Sequence, residues 1–241
     1  MDEAAPEQAQ NQPRKAGVFY AIVRAVLAPI ARTIYRPRIE GRENIPKHGP
    51  LILASNHLSL IDTLAIPIAA PRPVHFLAKA SLVERKGVTG AIHRAFFRAI
   101  GAVPVQRSGG QAALNALDQQ RMLLQQGLAV ALFPEGSRST DGRLYKGRTG
   151  VAFLALETGA PVVPVGLIGT DKMMPVGSRV PAFRPRITVR FGTPIDLAGH
   201  GPASSGKARR TATDAIMAAI HELTEQELAD VYNEFTDDSS A

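Results

Sequence analysis

The sequence predicts an α/β protein with a largely parallel central sheet covered by helices on both faces, preceded by an N-terminal amphipathic helix. Three observations support this. Short apolar runs of strand length alternate with helical stretches along most of the chain, the pattern of parallel strands joined by crossover helices. Several runs, such as residues 51–54 and 128–133, are continuously apolar, as strands buried on both faces are. The same runs stop in polar or charged residues, the edge where α/β proteins bind ligands.

Taken in order, residues 1–13 are rich in Gln, Glu, Ala and Pro and lack the basic start and apolar core of a signal peptide, so a disordered tail is expected. Residues 14–36 follow a helical period. Phe19, Ile22, Val23, Val26, Leu27, Ile30 and Ile34 fall on one side, with Arg14, Arg24 and Arg32 on the other. Arg24 interrupts the apolar run and Pro29 introduces a kink, so a spanning stretch of about 18 apolar residues is missing. The helix suits an anionic membrane interface; packing on the protein's own surface is the alternative.

The main domain is expected over residues 37–235. Residues 38–40 form an edge strand, and 51–54 a buried strand entered through Gly49 and Pro50. Residues 74–78 form a strand ending at Lys79. A helix over 88–100 carries Ile92, Phe96, Phe97 and Ile100 beside His93, Arg94 and Arg98, and serves as core or as a second membrane contact. Residues 102–105 make a strand ending at Arg107. A helix then runs to Gln126 and stops at Gly127. After the strand at 128–133, a helix is expected from the Asp141–Gly142 turn to Thr158. Residues 161–168 are another apolar strand, and Ile187, Val189 and Phe191 alternate with Thr188 and Arg190 as a half-buried one. A flexible run at 201–206, a helix over 211–232 and an acidic tail at 236–241 close the chain.

Composition narrows the function. With 45% hydrophobic and 20% charged residues in 241, the chain is of ordinary globular make-up. It has no cysteine, which excludes disulfides, thiolate metal sites and a cysteine nucleophile. Six histidines form no H-E-x-x-H motif, so no metal is expected. A net charge of +7 points to an acidic partner. Aromatics are only 5% and do not interleave with basic residues, which favours a membrane or a phosphorylated substrate over nucleic acid.

The chemistry gathers at strand ends. The strand at 51–54 breaks into Ser55, Asn56 and His57, with Asp62 five residues beyond the histidine. On one continuous helix residues five apart diverge by roughly 140°. If His57 lies in the turn and Asp62 in the first turn of the next helix, the carboxylate can face the imidazole. It would then fix the tautomer and leave the other ring nitrogen as a base. Ser59 and Asp62 also fit a helix capping box, the plainer alternative. Lys79, Arg107 and the turn Glu135, Gly136, Ser137 and Arg138 end other strands. Arginines there match a phosphate bidentately, and Gly136 lets backbone N–H groups approach an anion. Glu135 is expected to hold an arginine or accept from a substrate hydroxyl, and Lys146 to add positive charge. Taken singly, each arginine reads as a surface charge. G-x-S-x-G and G-x-G-x-x-G are both missing.

Four blocks, in order over roughly residues 40–195, resemble the glycerolipid acyltransferase family that includes bacterial 1-acylglycerol-3-phosphate acyltransferases. They are Asn56-His57-x-x-x-x-Asp62, Gly101-Ala-Val-Pro-Val-Gln-Arg107, Phe133-Pro-Glu-Gly-Ser-Arg-Ser139 and Val163-Pro164-Val165. Ser137 stands where the family often has threonine, keeping the hydroxyl. The resemblance implies transfer of an acyl group from acyl-CoA or acyl carrier protein to a lysophospholipid hydroxyl, with lysophosphatidic acid the expected acceptor and glycerol 3-phosphate the runner-up. It implies His57 as base oriented by Asp62, Arg107, Glu135, Gly136 and Arg138 around the acceptor, and Val163, Pro164 and Val165 on the acyl chain. No cofactor is implied. A thiolate is a good leaving group, so no covalent enzyme intermediate is required. Attachment to the cytoplasmic face of the membrane, without spanning it, is expected. A non-catalytic lipid-binding relative or a thioester hydrolase is the alternative of another class.

Overall fold

Every residue of the strand Leu51–Ser55 is buried, which requires packed layers on both of its sides. We describe the protein from a computed structural model over residues 25, 29, 32–79, 102–105, 110–178, 180–182 and 186–234. The expected tails at 1–13 and 236–241, the helix over 88–100, Arg107 and most of the helix over 14–36 lie outside the described residues.

The strands and helices run in the order β1 (Arg38–Glu40), β2 (Leu51–Ser55), α1 (Asp62–Ala69), β3 (Val74–Lys79), β4 (Ala102–Val105), α2 (Gly110–Gln125) and β5 (Ala129–Leu132). They continue with α3 (Gly150–Thr158), β6 (Val162–Ile168), the single turn α4 (Thr170–Met173), β7 (Thr188–Phe191) and α5 (Gly206–Thr224). One sheet holds them in the order β1-β7-β6-β2-β5-β3-β4. The five strands from β6 to β4 are mutually parallel, so β2, β5, β3, β4 and β6 end at the same edge. β7 runs antiparallel to β6, and β1 follows β7 at the opposite flank. The largely parallel α/β sheet expected from the sequence is the observed fold.

Alternation along β2 divides the core. Leu51 and Leu53 join a cluster with Ala65, Ile66 and Ala69 of α1. Ile52 and Ala54 join another with Leu123 of α2, Leu154 of α3 and Ile216 of α5. Successive side chains of a strand point to opposite faces, so four successive residues serve two cores. Each buried Leu or Ile there contributes about 1.5–3 kcal/mol relative to exposure. α5 lies close on β6, where a Cβ at Gly166 would sit 2.8 Å from the Leu223 Cβ.

Three expectations change. α3 begins at Gly150 and not just after Gly142, because the N–H groups of Leu144, Lys146 and Arg148 bond to Glu227 O, Val231 O and Pro134 O at 2.7–2.9 Å. α5 starts early at Gly206, inside the run expected to be a flexible loop, where the Ser205 hydroxyl accepts from Ala208 N. It stops at Thr224, with Glu225 in the left-handed region at φ 54°, so residues 225–234 return across the molecule as an extended strap. Arg32, expected on the outward basic face, donates to Ile68 O at 2.6 Å. Tyr35 packs on the α1-side core while Ile34 is exposed. Here tertiary packing sets which side of the segment faces the domain.

Candidate active site

The chain leaves β2 at Ser55 and turns through Asn56 and His57 before α1. Asn56 is fully buried. Its amide pairs both ways with the end of β6, accepting from Leu167 N at 2.8 Å and donating to Leu167 O at 2.9 Å. The turn that carries His57 is thereby fixed to a neighbouring strand.

Asp62, the first residue of α1, has no exposed side-chain surface. Its Oδ2 accepts from Leu58 N at 2.7 Å and Ser59 N at 2.8 Å and lies 2.8 Å from His57 Nδ1. One oxygen atom therefore makes both the carboxylate half of the expected capping box and the bond to the imidazole, while the Ser59 hydroxyl does not cap α1 and donates to Met174 O. The two backbone donors hold an acceptor at that position, so Nδ1 carries the proton and Nε2 is left with its lone pair. Among the described residues Nε2 has no hydrogen-bond partner, and the His57 side chain keeps 13% of its surface exposed. The Phe133 ring stacks on the imidazole, centroids 3.8 Å apart and 9° from coplanar, and Phe76 backs Phe133 at 5.7 Å.

The loop after β5 clamps the histidine backbone. Glu135 Oε1 accepts from His57 N at 2.8 Å, and Ser139 N donates to His57 O at 2.7 Å. Glu135 Oε2 accepts from Tyr145 N at 2.9 Å. Both oxygens are committed and the residue is fully buried, which corrects the expectation that Glu135 holds an arginine or meets a substrate hydroxyl. Burial pushes its carboxyl from an ordinary 4.5 up to about 7, and the two backbone N–H bonds limit the rise.

The remaining candidates divide. Gly136 is exposed at φ 85°, a conformation that suits glycine, and it opens the loop surface. Arg138 is partly buried on the same loop, and Lys146 is exposed further along it. The Ser137 hydroxyl donates to Glu234 O at 2.9 Å, so its proton goes to the strap and not to an anion. Lys79 ends β3 opposite Val105, on the edge that bears His57. Val163, Pro164 and Val165 are buried in the middle of the sheet. They pair with Leu53, Ala54 and Ser55 and have no surface to offer an acyl chain. Instead they support the strand that leads into His57. Phe133 was visible in the sequence only as the first letter of a block; its strand-end place beside the β2 turn was the available signal. Gln226 and Asn233, described below, left no such signal.

Arranged this way, the site joins an oriented imidazole, one nitrogen of which is unpaired among the described residues, to a loop bearing cations and a bare glycine. That combination suits proton abstraction from a hydroxyl on an anionic molecule. Among the described residues no group of His, Cys, Asp and Glu is placed to hold a metal, and no helix is long and apolar enough to cross a membrane.

Residues 36–168 match the Acyltransferase family, and the chain belongs to it. It is 34% identical over 145 residues to the chloroplastic 1-acyl-sn-glycerol-3-phosphate acyltransferase BAT2 of Brassica napus, covering 60% of this chain and 40% of that one. It is 29% identical over 133 residues to the 1-acyl-sn-glycerol-3-phosphate acyltransferase of Borreliella burgdorferi, covering 55% and 51%. The crystal structure of the 1-acyl-sn-glycerophosphate (LPA) acyltransferase PlsC from Thermotoga maritima superposes with a TM-score of 0.62 at 25% identity, over 85% of this chain and 79% of that one. The matches with the chloroplastic relatives of Brassica napus and Arabidopsis thaliana span about two fifths of those proteins' length.

Proposed function

We propose that this protein transfers a fatty acyl group from an acyl thioester, acyl-CoA or acyl carrier protein, to the free hydroxyl of lysophosphatidic acid, producing phosphatidic acid. The observation that carries this is the oriented His57, whose Nε2 is unpaired among the described residues, next to the loop of Gly136 and Arg138. The names of the relatives support the acceptor, since those proteins act on 1-acyl-sn-glycerol 3-phosphate.

In this mechanism the acceptor hydroxyl lies against Nε2. As its oxygen attacks the thioester carbonyl, the proton passes to Nε2; Asp62 stabilises the imidazolium that forms. The new C–O bond replaces the C–S bond, and the proton returns to the departing thiolate. Arg138, Lys146, Lys79 and Arg107 would surround the phosphate. No metal or organic cofactor is needed for these steps. Residues 14–36 would rest on an anionic membrane surface, placing the site at the cytoplasmic face.

The test is a turnover assay with both donors, without acceptor and with lysophosphatidate, glycerol 3-phosphate or monoacylglycerol. Phosphatidate formation that needs the phosphorylated lysolipid is expected. Thioester hydrolysis without acceptor, or no turnover with any, overturns the proposal; preference for glycerol 3-phosphate replaces the acceptor.

A further inference from the structure

Beyond the matched residues 36–168, the strap of residues 225–234 contacts both halves of the site. We infer that this strap is a working wall of the acceptor pocket, with Gln226 and Asn233 as positioning residues that fix the loop after β5 against the His57 turn. The inference rests on the proposed acyl transfer for its kinetic meaning.

Gln226 bridges the two halves. Its Oε1 accepts from Asn56 Nδ2 at 2.8 Å, and its Nε2 donates to Gly142 O at 2.7 Å. The orientation is forced from the sheet outward. Leu167 N–H and C=O fix which end of the Asn56 amide is oxygen, Asn56 then presents a donor to Gln226, and Gln226 must turn its own donor to Gly142 O. One polarised chain of bonds thus runs from β6, through the residue before His57, to the middle of the loop after β5. Asn233 holds the near end, donating to Arg138 O at 3.1 Å and Ser137 O at 3.3 Å. Between them the backbone pairs like a short strand: Leu144 N with Glu227 O at 2.8 Å, Ala229 N with Leu144 O at 2.9 Å and Lys146 N with Val231 O at 2.9 Å. Arg148 Nη2 donates to Asn233 O at 2.9 Å. Leu228, Val231 and Tyr232 are exposed, so polar bonds and not apolar burial hold the strap down. Two of those bonds end on the residues that carry the loop's cations, Arg138 and Lys146.

The test uses the full chain with Gln226→Ala, Gln226→Met (similar length, neither bond) and Asn233→Asp, which turns oxygen toward two carbonyls. Acceptor KM is expected to rise about three- to thirtyfold in each, the scale of one or two lost hydrogen bonds, while donor KM stays within about twofold. Amide hydrogen exchange at Leu144 and Lys146 should accelerate, with β2 amides remaining protected. Unchanged acceptor KM overturns the inference, as does a loss shared equally by donor and acceptor that follows thermal stability. If the wild type transfers no acyl group, the functional proposal fails by itself; exchange at Leu144 and Lys146 then decides the strap, and unchanged exchange in the variants overturns its hold on the loop.

Discussion

The two halves of the site are held in different ways. The imidazole of His57 is oriented from within its own turn, where the carboxylate of Asp62 reaches residues three, four and five positions back. The backbone of that turn is also tied to Leu167, Glu135 and Ser139. The loop from Glu135 to Arg148 is ordered from afar, by His57 78 positions away and by Asn233 and Glu234 at separations of 85 to 97. A carboxylate bonded to near neighbours keeps its place beside the imidazole through contacts a few residues long. A loop closed by distant partners has its geometry only when the whole sheet and the strap are in place. The orientation of the imidazole is thus built locally, while the loop proposed to meet the acceptor depends on tertiary contacts.

The largest effect should break the local half. His57→Ala removes the base and should lower turnover by about 10²–10⁴, in a protein that still folds because the backbone clamps at residue 57 do not use its side chain. Near-normal turnover in the folded variant would sink the mechanism.

Glu135 is where the halves meet. Its pKa is raised in the folded state, so the folded protein holds an extra proton between about pH 4.5 and 7. The Glu135 contribution to stability is therefore fully present below 4.5 and is lost as pH rises through 7, by about 3 kcal/mol in all. Glu135→Gln does not titrate. The wild type's stability advantage over it should shrink from pH 5 to 8, as read from denaturant midpoints, with the change flattening above 7. A constant difference would mean that the carboxyl is ionised throughout.

Arg138 tests the distant half. Arg138→Lys keeps the charge and loses the planar fork, and should cost about 1–3 kcal/mol in acceptor binding. Steady-state kinetics should show it as a raised acceptor KM with little change for the donor. An equal penalty with monoacylglycerol would remove the phosphate from its role.

The smallest effect sharpens the local half again. In Asp62→Asn, the N–H groups of Leu58 and Ser59 require an oxygen where Oδ2 now sits. The side-chain oxygen should keep facing Nδ1 and preserve the tautomer, so only the stabilising charge is lost. Turnover should fall about tenfold, the difference between a charged and a neutral acceptor. A loss as large as that of His57→Ala would mean that the amide has flipped and the tautomer with it.

Legibility in the sequence follows the same division. Strand positions were readable because buried strands need apolar runs whatever surrounds them, and β2, β3, β4 and β6 lie within a residue or two of where those runs fall. His57 and Asp62 were readable as a pair because five residues across a turn leave few geometries. The start of α3 and the end of α5 were not. Residues 143–149 and 225–232 can follow a helical pattern, and they are extended because each supplies hydrogen-bond partners to the other.

By itself the sequence determined the layers, the parallel order of chemistry along one edge, and the imidazole with its carboxylate, since these depend on periodicity and on contacts a few residues long. Only the tertiary structure decided that Glu135 accepts from the backbone of His57, that Val163, Pro164 and Val165 are core, and that Gln226 and Asn233 bond to the His57 turn and the loop after β5. Those roles depend on which buried donors and acceptors meet across 70 to 170 positions of chain. No local preference encodes such a meeting; it follows from the requirement that every buried polar group find a partner once the sheet has closed.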